Sequence, residues 1–593
     1  MEIVQQQLLN GLVHGVLLAF TACGYSVLYR QSRTLCLAFG AVPGVSALIA
    51  LAAVRSGESG WTDLSGPWLA VVAWCTAAVG ALVLMFAYEH LAWKKLRARP
   101  LTEQLLLGAC SVAVVSAVAG LLVEPQLRPF PQLLDSEPTF VGGVVVTDLQ
   151  MLVVGLGVVL LIAFWTLLPR LDHGRARLPK AIILAGLLGA TGGISWAMNY
   201  GVTGTSSIHL QAPPLAAFLL GGGVNVARVA AASVMLGIVE SAFATFLGPA
   251  TAGLLSSQHA GLSTLFVLAC AWPALRPQEL RMTQVDEAAE PAGEADRTAV
   301  GAVIVLGVAL FVLGDGGGQH LLRPLAWSMP WLVITVGLYA AVRRARVADL
   351  GYVIIPASGA YLFAFLRAEP FAGMFGFSAS DGGVLASAWV SLGLAALLGA
   401  LVASALHALA GRRSGIEFAI LAWVLLEAVQ ILLYNLDSIT NGPQGISDIA
   451  GFGDPGTATW AGWIALAGSV AAMVAIGTSR GDLRKRTYIA AGAIGGLAGA
   501  LMAATLAYIS PEPFSSQEMV RYLLVVLVGM RFGLGGVMAA ALLVQLLGPT
   551  VPLEWQLPGL AVLAFVSAGA TPWGGFRGGE PRAQPFGPNP YRI

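Results

Sequence analysis

Charge is what this sequence has least of. Only 11% of its 593 residues are Asp, Glu, Lys or Arg, against roughly 25% in an average soluble domain. The net charge is +1, so no strongly basic face can neutralise phosphates, and nucleic acid is excluded as a partner. Cysteine is scarce too. Cys23, Cys36, Cys75, Cys110 and Cys270 sit in or beside apolar segments without metal-ligand spacing, and they read as small buried hydrophobes. The histidines are scattered, and His14 and His407 fall on apolar stretches where satisfied packing is expected. No Gly-x-x-x-x-Gly-Lys-Ser/Thr element occurs, so ATP is not bound by that route. No catalytic triad and no metal cluster can be read from the residues. The chain is therefore expected to be no enzyme and to hold no cofactor or metal of its own.

What fills the sequence instead is hydrocarbon. Hydrophobic residues make up 57% of it, gathered into runs of helical length. A run of this kind crosses a bilayer as a helix, because hydrocarbon offers no partners to backbone N–H and C=O groups. The predicted fold is all-α, a polytopic membrane protein with lipid as its solvent. Nine runs precede residue 276, near 4–28, 34–54, 66–88, 103–123, 147–168, 181–200, 207–221, 224–246 and 259–275. Ten follow, near 299–315, 326–342, 349–367, 385–410, 414–435, 459–478, 487–508, 519–533, 535–548 and 557–571. The piece 207–221 is short and holds Pro213-Pro214, which suits a broken or re-entrant segment. Whether it and 519–533 cross fully stays open. The run Ile3 to Leu28 lacks a basic flank before it and is read as a retained first helix rather than a signal.

Lys and Arg set the expected orientation. Arg30 and Arg33, the cluster Lys94 to Arg99, Arg170 to Lys180, Arg343 to Arg346, Arg412-Arg413 and Arg480 to Arg486 all fall inside if the N-terminus is outside and both short pieces cross. The C-terminus is then cytoplasmic, and a bacterial inner membrane is the expected location. Residues 276–298 are polar, charged and without apolar periodicity, a cytoplasmic linker between two membrane halves, 1–275 and 299–571. The Gly- and Pro-rich tail 572–593 is expected to be disordered. Weak echoes join the halves. Phe246-Leu247-Gly248-Pro249 and Leu546-Leu547-Gly548-Pro549 close corresponding runs, and small-residue helices, Leu187 to Tyr200 and Ile494 to Tyr508, precede them. These echoes predict two tandem, parallel, pseudo-symmetric modules of about 9 and 10 segments, with a path either near the pseudo-axis or within each module.

One stretch organises the rest, Gly415 to Ile449. It is an apolar helix with one carboxylate, Glu427, deep in the pattern, followed by Thr440-Asn441-Gly442-Pro443-Gln444-Gly445-Ile446-Ser447. Such a loop of turn residues can hold a tight, open backbone that offers amides to a small polar ligand, or it can be a well-formed turn and nothing more. The positions Gly415, Ala419-Ile420, Glu427, Val429, Leu432-Leu433, Asn435, Thr440, Gly442-Pro443 and Gly445-Ile446 resemble the M-type permease subunit of the branched-chain amino acid (Liv-type) ABC importers. The first half is similar to the H-type subunit of the same importers, through Gln6 to Leu12, Gly15, Gly24-Tyr25, Leu28-Tyr29, Gly237-Ile238-Val239-Glu240 and Leu275-Arg276-Pro277. The whole looks like an H–M fusion.

The resemblance implies a permease for small amino-acid-like solutes, branched-chain amino acids foremost, with amides or urea behind. It implies two cytoplasmic ATPase subunits and a periplasmic or lipid-anchored solute-binding protein as partners. It implies a path lined by Glu427, Asn435, Thr440, Asn441, Gly442, Pro443, Gly445 and Ser447, with Glu240 in the equivalent region of the other half. A carboxylate inside an apolar run is costly and either faces a cavity or bonds another helix. Two departures qualify this. The family's Asn-Phe-Ala-His-Gly element reads Cys36-Leu37-Ala38-Phe39-Gly40 here, without the polar Asn and His. The loops Arg170 to Lys180 and Ser479 to Arg486 are too short for the coupling helix that passes force from an ATPase, at about 3.6 residues per turn. An ATP-independent channel or facilitator, or a scaffold that has lost transport, are the alternatives. Arg228 and Arg531 at segment ends are read as snorkelling to the interface.

Overall fold

In a computed structural model, the described residues run from Glu2 to Gly569 without 246–318 and 369–386, and without the short stretches 33, 61–65, 97–100, 123–129, 132–137, 142, 172–176, 203–210, 243–244, 411–414, 454, 477–482, 548–550 and 552. The linker 276–298, the tail 572–593 and the runs 259–275 and 299–315 lie outside them. Among the described residues the protein is an all-α membrane protein, with 17 helices. Eight of these are long and apolar enough to cross a bilayer.

In the first half the helices are α1 (Glu2–Ser32), α2 (Ala41–Gly60), α3 (Gly66–Tyr88), α4 (Leu101–Leu122), α5 (Asp148–Leu171), α6 (Arg177–Tyr200), α7 (Ala212–Leu220) and α8 (Val226–Ala242). In the second they are α9 (Gln319–Tyr339), α10 (Ile354–Arg367), α11 (Ala388–Ala410), α12 (Gly415–Asn435), α13 (Pro455–Ile476), α14 (Leu483–Leu506), α15 (Ser516–Gly529), α16 (Gly533–Leu547) and α17 (Leu553–Gly569). The expected run 207–221 is only the nine-residue α7, too short to cross, since a helix rises about 1.5 Å per residue. A small antiparallel hairpin, β1 (Thr139–Val141) with β2 (Val144–Val146), departs from the all-helical expectation. Gln6 clamps its edge: its side-chain amide donates to the Val145 carbonyl at 3.1 Å and accepts the Val145 N–H at 2.8 Å.

Two expected continuous runs are broken at their start. Between α1 and α2 the chain makes a 3-10 turn at Leu37–Gly40, and between α9 and α10 it bends at Asp349 to Val353. Each break is followed by a helix with proline in its first turn, Pro43 and Pro356. Proline is tolerated there because the missing N–H would have no helical partner.

The packing of one half recurs in the other. α1 packs on α6 and α8, and α9 packs on α14 and α16; α2 lies against α3 and α6, and α10 against α11 and α14. Backbones approach closely at matching places. A Cβ on Gly24 would meet the Phe39 ring, and one on Gly337 the Tyr352 ring. A Cβ on Gly193 would strike the Pro43 carbonyl, and one on Gly499 the Pro356 carbonyl. Gly221 lies on the Val229 backbone as Gly529 lies on that of Val537. Small residues at helix crossings let backbones approach in a bilayer, where lipid is as apolar as the side chains. These contacts align Phe39 with Tyr352, and Cys36 with Asp349.

The halves meet through an exchange. α4 packs on α15 and α17, while α12 packs on α7, and α4 and α12 touch each other. Reciprocal contacts of this kind are what a two-fold-like pairing produces. By contrast α3 and α11 are mostly exposed, with Val79, Val83, Leu397 and Leu401 more than half accessible. Apolar side chains so exposed suit a surface bathed in lipid.

Candidate functional site

α12 lies at the seam between the halves and is buried along most of its length. Its first turns run over the Asp349–Val353 break, where a Cβ on Gly351 would strike the Ala422 carbonyl. Beneath it is a closed polar knot. Tyr488 donates to an Asp349 carboxylate oxygen at 2.6 Å, the Gly351 N–H donates to the other at 2.9 Å, and Tyr352 donates to the Ala491 carbonyl at 2.7 Å. Phe418 and His407 lie against the Tyr488 ring. Both carboxylate oxygens of Asp349 are thus engaged, as a buried carboxylate requires. Arg344 is likewise buried and donates to the Met473 carbonyl.

The loop after α12 is also closed. Thr440 is buried, and its hydroxyl donates to the carbonyls of Leu433 and Leu436 at 2.7 and 2.9 Å while accepting from the Gly442 N–H at 3.3 Å. Asn441 adopts the left-handed region, at φ 58°, and its side chain donates to the Gly445 carbonyl at 2.8 Å. The amides of Gln444 and Gly445 bond back to Asn441 and Gly442, and that of Ile446 bonds to Ile509. Asn435 donates to the Ile431 carbonyl, and Ser447 to Asp448. The amides of Gly442, Gln444, Gly445 and Ile446 that the sequence offered to a ligand are therefore used within the protein. Of the predicted residues Asn435, Thr440, Asn441, Gly442, Pro443, Gly445 and Ser447, the hydrogen bonds describe a stapled turn.

That turn ties three helix ends together. Ile446 pairs with Ile509 after α14, and Ile449 with Ala368 after α10. Arg367 closes the same end, donating to the carbonyls of Ala450 and Gly451 at 2.8 and 3.3 Å. Tyr508 donates to the Gln444 carbonyl at 2.9 Å.

Glu427 stands 3% exposed on α12. It shares one helical face with Trp423, Gln430 and Tyr434, at the spacing that brings residues above one another on a helix. Gln430 lies within hydrogen-bonding reach of Tyr434. On α10 Tyr361 lies within electrostatic reach of Tyr434 and Tyr508 and is packed on Phe514 and Phe365. Glu512 lies exposed at the mouth, within reach of Tyr434. Tyr361 and Gln430 are 5% and 7% exposed. Yet the Tyr361 hydroxyl, the Gln430 side-chain oxygen and the Trp423 indole nitrogen have no hydrogen-bond partner among the described residues. The sequence reading missed Tyr361, Gln430 and Tyr434. Their signal was the spacing of Glu427, Gln430 and Tyr434 along one helix face.

Glu240 is placed elsewhere. It ends α8, the counterpart of α16 rather than of α12, and its carboxylate lies 3.0 Å from the His14 imidazole, whose other nitrogen is 3.1 Å from the Tyr200 hydroxyl. Trp196 completes that cluster. A cavity of about 570 Å³ also lies in the first half, between α1, α5, α6 and α8, with walls such as Val16, Phe20 and Ala230 that carry almost no polar surface. In the second half Met329, aligned with Val16, packs on Gly462 as Val16 packs on Gly157.

The comparison with family models bears on α12. Residues 320–462 match the family described as branched-chain amino acid transport system, permease component. The match runs from α9 to the start of α13 and takes in the Asp349 break, Tyr361, all of α12 and its loop. That stretch is similar to a transport permease component. Comparisons with curated proteins and with solved structures found no match.

Proposed function

We propose that the chain is a membrane permease of the ABC importer type for small amino-acid-like solutes, branched-chain amino acids foremost. The single observation that carries this is the coincidence of the matched stretch 320–462 with the row Trp423, Glu427, Gln430 and Tyr434 on α12. A buried polar row on a membrane helix is costly and either lines a path or bonds a neighbouring helix, and the open atoms of Trp423 and Gln430 favour the path. The solute passes along this row, within the second half. The alignment of the halves supports that side: where the second half has Asp349, Tyr352 and Tyr488, the first has Cys36, Phe39 and Ile182, all apolar. The chain reads as two tandem permease modules, the first H-like and the second M-like, related by the reciprocal packing of α4 and α12.

A second reading, an ATP-independent channel or facilitator for amino acids, amides or urea, is favoured by two helix boundaries. α5 ends at Leu171 and α6 begins at Arg177, while α13 ends at Ile476 and α14 begins at Leu483. The connections 172–176 and 477–482 hold less than two helical turns each at about 3.6 residues per turn, so neither seats a coupling helix of the usual size. Uptake of labelled leucine and urea into proteoliposomes separates the readings. Downhill uptake by the chain alone is the facilitator's result. Accumulation only after ATPase subunits, a solute-binding protein and ATP are added is the importer's. No uptake in either arm contradicts both.

A further inference from the structure

Two open hydrogen-bonding atoms lie near Tyr434, toward the stapled end of the second half. The Tyr361 hydroxyl on α10 and the Gln430 side-chain oxygen on α12 are both deeply buried and both without a partner among the described residues. The loop beyond them is bonded internally: its amides pair within the protein, Arg367 holds two carbonyls, and Tyr508 holds a third. Buried polar atoms in native proteins are almost always bonded, and leaving one open costs about 1–3 kcal/mol. Two such atoms, one on α10 and one on α12, both near Tyr434 and beside the Phe514 ring, mark a place where a guest supplies the missing partners.

The chemistry of that guest follows from the atoms left over. Gln430 lies within reach of Tyr434, and its open atom is a carbonyl oxygen, which only accepts. The Tyr361 hydroxyl accepts or donates. The Glu512 carboxylate lies within reach of Tyr434 and is an acceptor that attracts positive or N–H-rich groups. We infer that Tyr361 and Gln430 form a binding site for the N–H donor head of a small solute, either the ammonium of an amino acid or the amide nitrogens of a urea-like molecule. This rests on the permease reading and names the part of the solute that is recognised. The aromatic rings of Tyr361, Phe514 and Tyr434 leave an apolar wall for the remainder, as small-molecule sites commonly have.

The test is equilibrium binding of labelled leucine, urea and 4-methylpentanoate, which is leucine's skeleton without its amino group, to the full chain in lipid nanodiscs. Leucine or urea binds, which of the two telling ammonium from amide, and 4-methylpentanoate does not. Tyr361→Phe removes only the open hydroxyl and lowers affinity about tenfold, the worth of one hydrogen bond, without lowering the melting temperature. Gln430→Leu lowers affinity at least as far. Equal binding of 4-methylpentanoate, no binding of any probe, or unchanged affinity in Tyr361→Phe overturns the site. Uptake measured in parallel separates the two claims. Uptake that is identical in wild type and Tyr361→Phe removes this site and leaves the permease; no uptake by wild type, alone or with ATPases added, removes the permease.

Discussion

The crossing of α1 and α8 gives the sharpest test of the packing. Gly11 and Gly15 stand one turn apart on α1. A Cβ on Gly15 would lie 2.5 Å from the Val234 Cα, and one on Gly11 would lie 2.6 Å from the Ile238 Cα. Ordinary contact begins at 3.4 Å, so Gly15→Ala requires the two backbones to part by about 1 Å along a crossing that has no side chain to yield. Overpacking of this kind costs about 1–3 kcal/mol. The right control is in the same half: a Cβ on Gly155 in α5 meets nothing within 4 Å, and Gly155→Ala is expected to be neutral or slightly stabilising, by up to about 1 kcal/mol of helix propensity. Gly11→Ala added to Gly15→Ala should cost less than the sum, since the first substitution already separates the helices. Thermal unfolding in nanodiscs, followed by tryptophan fluorescence, reads all four proteins. A Gly15→Ala protein as stable as Gly155→Ala would refute the close crossing.

Other substitutions probe the polar knots. Tyr488→Phe deprives the buried Asp349 of one of its two donors and should destabilise by about 1–3 kcal/mol, with Asp349→Asn in the same background recovering part of the loss in a double-mutant cycle. Arg367→Met frees the carbonyls of Ala450 and Gly451 and should raise amide hydrogen exchange from Ile446 to Gly451 before it affects α12, at a cost of about 1.5–3 kcal/mol for a bond to a charged group. Glu240→Gln keeps a hydrogen-bond partner for the half-buried His14 and should cost below about 1 kcal/mol, with a melting temperature close to wild type.

Much of the membrane architecture was legible because hydropathy reports composition, and composition decides which segments leave water. It does not report where the backbone bends. The run 349–367 looked continuous because Leu350, Tyr352 and Val353 are as apolar as the helix they precede; the bend at Asp349 is held by hydrogen bonds from Tyr488 and Gly351. The hairpin at 139–146 did have a local signal, Gly142-Gly143 between β-branched residues, which a membrane reading passed over. The loop 440–447 was legible as a turn, since Asn441, Gly442 and Gly445 take positive φ. Where its amides point depended on Ile509 and Ala368, residues distant in the chain. Glu240 and Glu427 were paired because each interrupts an apolar run and matches a position of the permeases the halves resemble. The fold sets one beside His14 and the other on the seam.

The central claim is that solute passes along the polar face of α12. Uptake of labelled leucine and urea into proteoliposomes holding Glu427→Ala, compared with wild type and with Glu240→Gln, tests it most directly, with and without added ATPases and binding protein. The account predicts that Glu427→Ala loses uptake in whichever arm wild type shows it, while Glu240→Gln retains it. Uptake through Glu427→Ala at the wild-type rate would contradict the path.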